Sequence, residues 1–211
     1  MTDCSTPPEH HPKLPPGQAA RIRAAVVEKY REVSLRAEGH FPYPVGRASA
    51  LGLGYEVSWL SALPAGIVER FVGVGNPFSL VRPRPGERVL DVGCGAGLDL
   101  LVASLLVGQT GLSVGVDLTP AMVEWARQAA GVWTMGPVEL HEGSVEALPL
   151  ADASFDVVIS NGSLNLVPDK DAAFSEIARV LRPGGTFAAA DLVVLESLPA
   201  EVAGRLDAWS G

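Results

Sequence analysis

With 211 residues, 47% of them hydrophobic, the chain has enough apolar side chains for one well-buried core and too little length for two full domains. Sixteen basic against 24 acidic residues leave a formal charge of −8, which repels phosphate backbones and argues against a nucleic-acid partner. The longest apolar runs, 104–108 and 186–195, fall far short of a bilayer span, and no charged segment followed by an apolar one opens the chain, so the expectation is a cytoplasmic protein with no membrane partner.

In chain order, residues 1–18 are Pro-rich and aperiodic and read as a disordered tail. His10 and His11 lie there without a third ligand, and Cys4 and Cys94 are too far apart in context to suggest a disulfide framework or a metal set, so no metal is expected. Residues 19–85 read as an amino-terminal helical cap. Ile22, Val26, Val33 and Ala37 recur at helical spacing and predict an amphipathic helix over 18–38. The Gly- and Pro-rich stretch 39–85 carries short helical pieces at 56–63 and 65–71 and looks like a cover over a site.

From residue 86 to 211 the pattern changes to short β-branched runs alternating with helices, which specifies an α/β core with a mainly parallel sheet covered on both faces. Strands are expected near 87–92, 112–117, 137–142, 155–160 and 185–194, and helices near 97–107, 119–130 and 170–181. Thr119 as N-cap, with Pro120 at the first helical position, starts the second helix; Leu181-Arg182-Pro183-Gly184-Gly185 ends the third and turns into the last strand.

The segment Val89-Leu90-Asp91-Val92-Gly93-Cys94-Gly95-Ala96-Gly97 is an apolar strand running into a glycine-rich turn and a helix, a nucleotide-type arrangement in which the backbone can approach a ligand closely. A dinucleotide fingerprint would need glycine where Leu98 stands, and the register starting at Gly95 fails at Leu100, so a nicotinamide oxidoreductase is disfavoured. Asp91 at the strand end suits a cationic ligand such as an ammonium group. Asp117, at the end of the second strand, can accept from both hydroxyls of a ribose; its alternative reading is a plain turn residue beside an N-cap. Leu118 and Met122 either sandwich an adenine or are ordinary core, and Gly143-Ser144-Val145-Glu146 is either an adenine rim or a strand exit. Tyr30, Tyr43, His40 and His141 are candidate bases without an orienting partner, and Asn161 and Asn165 either orient an acceptor or cap a turn.

The series Asp91-Val-Gly-Cys-Gly-Ala-Gly97, Gly115-Val-Asp117, Glu146-Ala-Leu-Pro-Leu150, Phe155-Asp-Val-Val158 and Leu181-Arg-Pro-Gly-Gly185 resembles the class I S-adenosylmethionine-dependent methyltransferases. Gly75-Asn76-Pro77, Gly115 to Met122, Ile159-Ser-Asn-Gly-Ser-Leu-Asn-Leu166 and the 198–211 stretch are similar to the arsenite methyltransferases and their bacterial relatives. The resemblance implies a Rossmann-like three-layer sandwich with strand order 3-2-1-4-5, S-adenosylmethionine as cofactor, and methyl transfer to a small-molecule acceptor under the cap. It assigns Asp91, Gly93, Cys94, Gly95 and Gly97 to the methionine moiety, Asp117 to the ribose, Leu118, Met122, Ser144 and Val145 to the adenine, and Asn161 to the catalytic position near the reactive methyl.

Two departures accompany it. Arsenite methyltransferases hold the metalloid with cysteine thiolates, a sensible soft-ligand choice, yet Val74 stands at one such position and residues 41–47 hold none. A degenerate protein that binds S-adenosylmethionine without catalysis is therefore the rival expectation. A terminal helix near 200–209 would take most of the 17 residues after Val194, leaving the usual antiparallel hairpin missing and the fifth strand an exposed edge that pairs with a partner copy.

Overall fold

The apolar runs beyond residue 86 pair side by side in the computed structural model, which describes residues 17–193. β1 (Arg88–Val92), β2 (Leu112–Asp117), β3 (Val138–Glu142), β4 (Phe155–Asn161) and β5 (Leu181–Ala190) form a parallel sheet in the order β3-β2-β1-β4-β5. β1 and β4 occupy the centre, buried along nearly their whole length, which is why their sequences are continuously apolar rather than alternating. Their period-two alternation divides the core: Val89, Val157 and Ile159 join one cluster, while Leu90, Val92 and Val158 join the other.

Helices α5 (Leu98–Val107) and α6 (Pro120–Gly131) cover the first face and α7 (Lys170–Val180) the second. α5 is apolar apart from Asp99 and Ser104, both buried. Leu100, Leu101, Val102, Ala103 and Val107 are wholly buried, because Trp59, Leu60 and Phe78 of the cap belong to the same cluster on its outer side. Each such side chain contributes about 1.5–3 kcal/mol by leaving water.

The cap consists of α1 (Gln18–Leu35), α2 (Gly46–Gly52), α3 (Val57–Ala62) and α4 (Ala65–Val68). α1 packs across α6, buries Ile22, Val26 and Val33, and stops three residues short of the expected end because Arg36 is extended. α2 falls in the stretch expected to be irregular. The Arg70 guanidinium lies 3.4 Å from the centre of the Trp125 ring while its Nε donates to the Ser34 carbonyl at 3.0 Å, which ties α1, the cap and α6 together.

β5 begins four residues before the sequence suggests. α7 ends at Val180, Leu181 is already extended opposite Phe155, and the Pro183-Gly184-Gly185 bend, with Gly184 at φ 80°, forms a register irregularity before Thr186 pairs with Val157. Among the described residues no strand pairs with the outer edge of β5. β5 ends at Ala190, so Asp191, Leu192 and Val193, expected to continue the strand, do not; the expected tail up to residue 16, the 200–209 helix and the last residue of the expected fifth strand, 194, lie outside the described residues, as does any hairpin following them. No described helix is long and apolar enough to cross a membrane.

Candidate functional site

All the strands run parallel, so their carboxyl ends open on one edge, and a cleft with about 1080 Å³ of empty space, counting its open mouth, lies there beneath the cap. Asp91, Gly93, Cys94, Gly95, Gly97, Asp117, Leu118, Met122, Ser144, Val145 and Asn161 all line it.

The glycine turn is built for backbone approach. Gly93, Gly95 and Gly97 take φ of 75°, 52° and 100°, a region that side chains disfavour. A Cβ on Gly93 would run into Ser163, whereas one on Gly95 would stand in open space. The amides of Gly93 and Cys94 donate to the Val116 carbonyl at 2.8 and 3.1 Å, hanging the turn on β2. Cys94 is buried, and burial pushes its thiol well above its ordinary pKa, so it packs rather than reacts.

Three carboxylates flank this turn. Asp91 is buried, and its Oδ2 has no hydrogen-bond partner. Burial, with the nearby charges of Asp99 and Asp117, raises its pKa well above the ordinary range. Asp117 accepts from Gly95 N at 2.8 Å with Oδ2 and from Thr119 N at 2.8 Å with Oδ1. Burial raises its pKa while these bonds oppose the shift. Thr119 is indeed the N-cap of α6, yet its side chain accepts no backbone N–H; it bonds to the Asp117 carboxylate instead, the stronger acceptor beside it. Asp117 therefore holds the turn in place, and with three of its four acceptor sites taken it keeps one lone pair free.

At the other end Asn161 is fully engaged by the protein. Its Oδ1 accepts from the amides of Val74 and Gly75 at 2.9 and 3.1 Å, and Nδ2 reaches the Gly75 carbonyl at 2.8 Å, Asp99 Oδ2 at 2.9 Å and Tyr55 Oη at 3.1 Å. The expectation that Asn161 faces the reacting atoms is thus modified, because its amide is committed to the cap. Of the four candidate bases only Tyr30 lines the cleft, and burial raises its phenol pKa, so it stays protonated.

α1 roofs the cleft with Arg23, Val26 and Tyr30. Arg23 Nε donates to Glu146 Oε2 at 2.6 Å; Glu146 also accepts from Ser144 Oγ at 3.0 Å and from Asp169 N at 2.9 Å. Burial pushes the Glu146 carboxyl up, but these bonds outweigh it and hold it below its ordinary pKa.

A family model described as a methyltransferase domain matches residues 83–210. The chain belongs to this methyltransferase family. An arsenite methyltransferase of Halobacterium salinarum is 40% identical over 159 residues, covering 75% of this chain and 40% of that protein. A nocamycin O-methyltransferase of Saccharothrix syringae is 43% identical over 108 residues, covering 50% of this chain and 38% of its own length. Among solved structures, an arsenic(III) S-adenosylmethionine methyltransferase from Chlamydomonas reinhardtii superposes with a TM-score of 0.63 at 40% identity, covering 69% of this chain and 51% of that one. The chain thus spans well under two thirds of the curated relatives it matches.

In this methyltransferase domain the matched segment begins at residue 83, so most of the cap lies outside it. Sequence reasoning missed Tyr55, Asp99 and Arg23. A lone acid in the otherwise apolar run of α5 was the available signal for Asp99. Nothing in the sequence pairs Arg23 with Glu146, 123 residues away.

Proposed function

We propose that this chain is an S-adenosylmethionine-dependent methyltransferase whose acceptor is a small molecule seated between the 73–75 segment of the cap and the carboxyl edge of the sheet. The observation that carries it is Asp91 Oδ2, a buried carboxylate oxygen without a partner, beside a glycine turn open to a ligand. A buried charge of this kind is costly until a cation reaches it, and the cofactor's ammonium group is such a cation.

The described residues fit the cofactor. In this reading Asp91 takes the ammonium, the turn Gly93-Cys94-Gly95-Ala96-Gly97 follows the methionine moiety, Asp117 takes a ribose hydroxyl on its remaining lone pair and the second in place of the Thr119 hydroxyl, and Leu118, Met122, Ser144 and Val145 enclose the adenine. When bound, the cofactor supplies an electrophilic methyl carbon on a positively charged sulfur. The protein's own part is to align an acceptor and exclude water, which Ile67, Phe71, Val72 and α1 do by walling the cleft with apolar surface.

The acceptor in this reading is an organic hydroxyl, thiol or carbon nucleophile rather than a metalloid. Among the described residues Cys94 is the only cysteine, it is buried, and no group of metal-ligating side chains is assembled. The charge of −8 favours a small molecule over nucleic acid. Pairing of the β5 edge, which no strand among the described residues covers, with a second copy belongs to the same proposal; a monomer by size-exclusion chromatography overturns that part.

A second reading, a protein that binds S-adenosylmethionine without transferring its methyl, draws on one observation: Tyr30, the candidate base in the cleft, has its phenol pKa raised. Isothermal titration with S-adenosylmethionine and with NAD is expected to show binding of the first alone. S-adenosylhomocysteine formation over a panel of phenols, thiols and arsenite separates the two readings. Product with a phenol or thiol supports transfer to an organic acceptor, product with arsenite alone overturns that choice, and binding without product supports the second reading.

A further inference from the structure

We propose that Tyr55, Asp99 and Asn161 are positioning residues: together they lock the 73–75 segment of the cap at one distance from the glycine turn and so fix the wall against which an acceptor rests. This inference rests on the methyltransferase reading above. The three side chains come from separate parts of the chain, the cap, the first turn of α5 directly after the glycine turn, and the end of β4.

Asn161 Oδ1 accepts from two successive amides, Val74 and Gly75, so its amide has one permitted orientation and cannot flip. The Nδ2 group then faces the Gly75 carbonyl, Asp99 Oδ2 and Tyr55 Oη. Tyr55 Oη donates in turn to Asp99 Oδ1 at 2.5 Å and lies 3.3 Å from the Gly75 carbonyl. Both Asp99 oxygens are thereby held by neutral donors, and bonds to a charged acceptor are stronger than those between neutral groups.

The segment they hold has no slack. A Cβ on Gly73 would meet Asn161 Nδ2 and come 2.5 Å from the Phe71 ring, and one on Gly75 would come 2.5 Å from Ala190 Cβ. Gly73, Asp99 and Asn161 line the cleft. A displacement of this wall by about 1 Å would misalign an acceptor enough to slow transfer on the order of a hundredfold.

The lock is tied to pH through Asp99, whose carboxyl burial pushes up to about 6 while Tyr55 and Asn161 oppose the rise. The ionisable groups near it are Asp91 at the end of β1, with Asp117 beyond on β2, and Tyr55 from the cap. Burial raises the Asp99 carboxyl only while the segment is closed over it, and opening to water returns it toward its ordinary value, so the closed arrangement is favoured as pH falls through about 6 and opens more readily above it.

Hydrogen–deuterium exchange on the ligand-free full chain tests this. In Asn161→Asp, which keeps an oxygen for the two amides but sets a second carboxylate against Asp99, exchange at Val74 and Gly75 is expected to quicken by about tenfold while β1 and β2 amides keep their protection. Tyr55→Phe, the milder change, gives about threefold and moves the loosening that accompanies Asp99 ionisation to higher pH, because Asp99 loses a donor that favours its ionised form. Affinity for S-adenosylmethionine stays within about threefold in Tyr55→Phe, whose side chain does not line the cleft. Unchanged exchange at Val74 and Gly75 in both variants, pH-independent exchange in the parent protein once the intrinsic rate is removed, or a loss of cofactor affinity in Tyr55→Phe as large as in Asp117→Ala overturns the lock. Failure of the parent protein to bind S-adenosylmethionine is a different result, which overturns the underlying reading and is seen in a separate measurement.

Discussion

The two ends of the cleft handle polarity in opposite ways. Around the glycine turn, Asp91 keeps a buried oxygen without a partner and Asp117 keeps one acceptor site to spare, so under the proposed function this end waits for a cationic, hydroxyl-bearing ligand. At the Asn161 end every side-chain polar atom of that residue already has a protein partner, and the wall completes itself. A site that must recognise one invariant ligand leaves its charges waiting, whereas a site that must hold an acceptor at a set distance spends its polar groups on its own geometry.

That contrast is broken most severely by Asp117→Ala, which removes the carboxylate proposed to meet the ribose and strips the amides of Gly95 and Thr119 of their partner. Its expected cost is about 3 kcal/mol, a fall of roughly a hundredfold or more in S-adenosylmethionine affinity by titration calorimetry. Asp91→Asn is next. It preserves shape but loses charge, so affinity falls about tenfold, while the ligand-free protein melts about 2 °C higher because an unpaired buried carboxylate is gone. An affinity loss without that gain in melting temperature would show that Asp91 is already satisfied by the protein.

Lowering pH sharpens the comparison further. Asp99 is raised from its ordinary 3.8 to about 6 in the folded state, so its contribution to ligand-free stability is fully present below 3.8 and is lost as pH rises through about 6. Cofactor affinity runs the other way, because a cation binds best to ionised carboxylates. The rise in melting temperature produced by S-adenosylmethionine is therefore expected to be smaller at about pH 5 than at about pH 7.5, and a larger rise at the lower pH would refute the anionic character assigned to this end. The smallest effect belongs to Arg23→Ala. The Arg23 side chain is 36% exposed, so the lost ion pair with Glu146 changes affinity only about two- to threefold, chiefly through faster release measured by stopped flow.

Much of the sheet, and which residues line the glycine-turn end of the cleft, was legible in the sequence. β1, β2 and β4 are short, β-branched and bounded by turn residues, and the glycine turn with its two aspartates is a local pattern, so nothing distant needed to be known. β5 was misplaced at its start because proline and glycine read as a turn, whereas the strand tolerates them as an irregularity beside β4. The cap wall was the harder part. Tyr55, Asp99 and Asn161 meet only after α5, β4 and the 73–75 segment have packed, and such convergence leaves no periodicity to read. The place of Asn161 at a strand end lining the cleft could be read, while the cap segment and the Tyr55 and Asp99 side chains that engage its amide could not.

The burial of α5 on every side carries a practical consequence for engineering. A helix with the sheet on one flank and Trp59, Leu60 and Phe78 on the other has no water-compatible surface of its own, so excising the matched segment alone would leave a greasy, adhesive stripe. Transplanting a foreign cover onto this scaffold would likewise require rewriting α5 at the same time, and libraries that diversify acceptor preference should treat that helix and its covering segment as one inherited block.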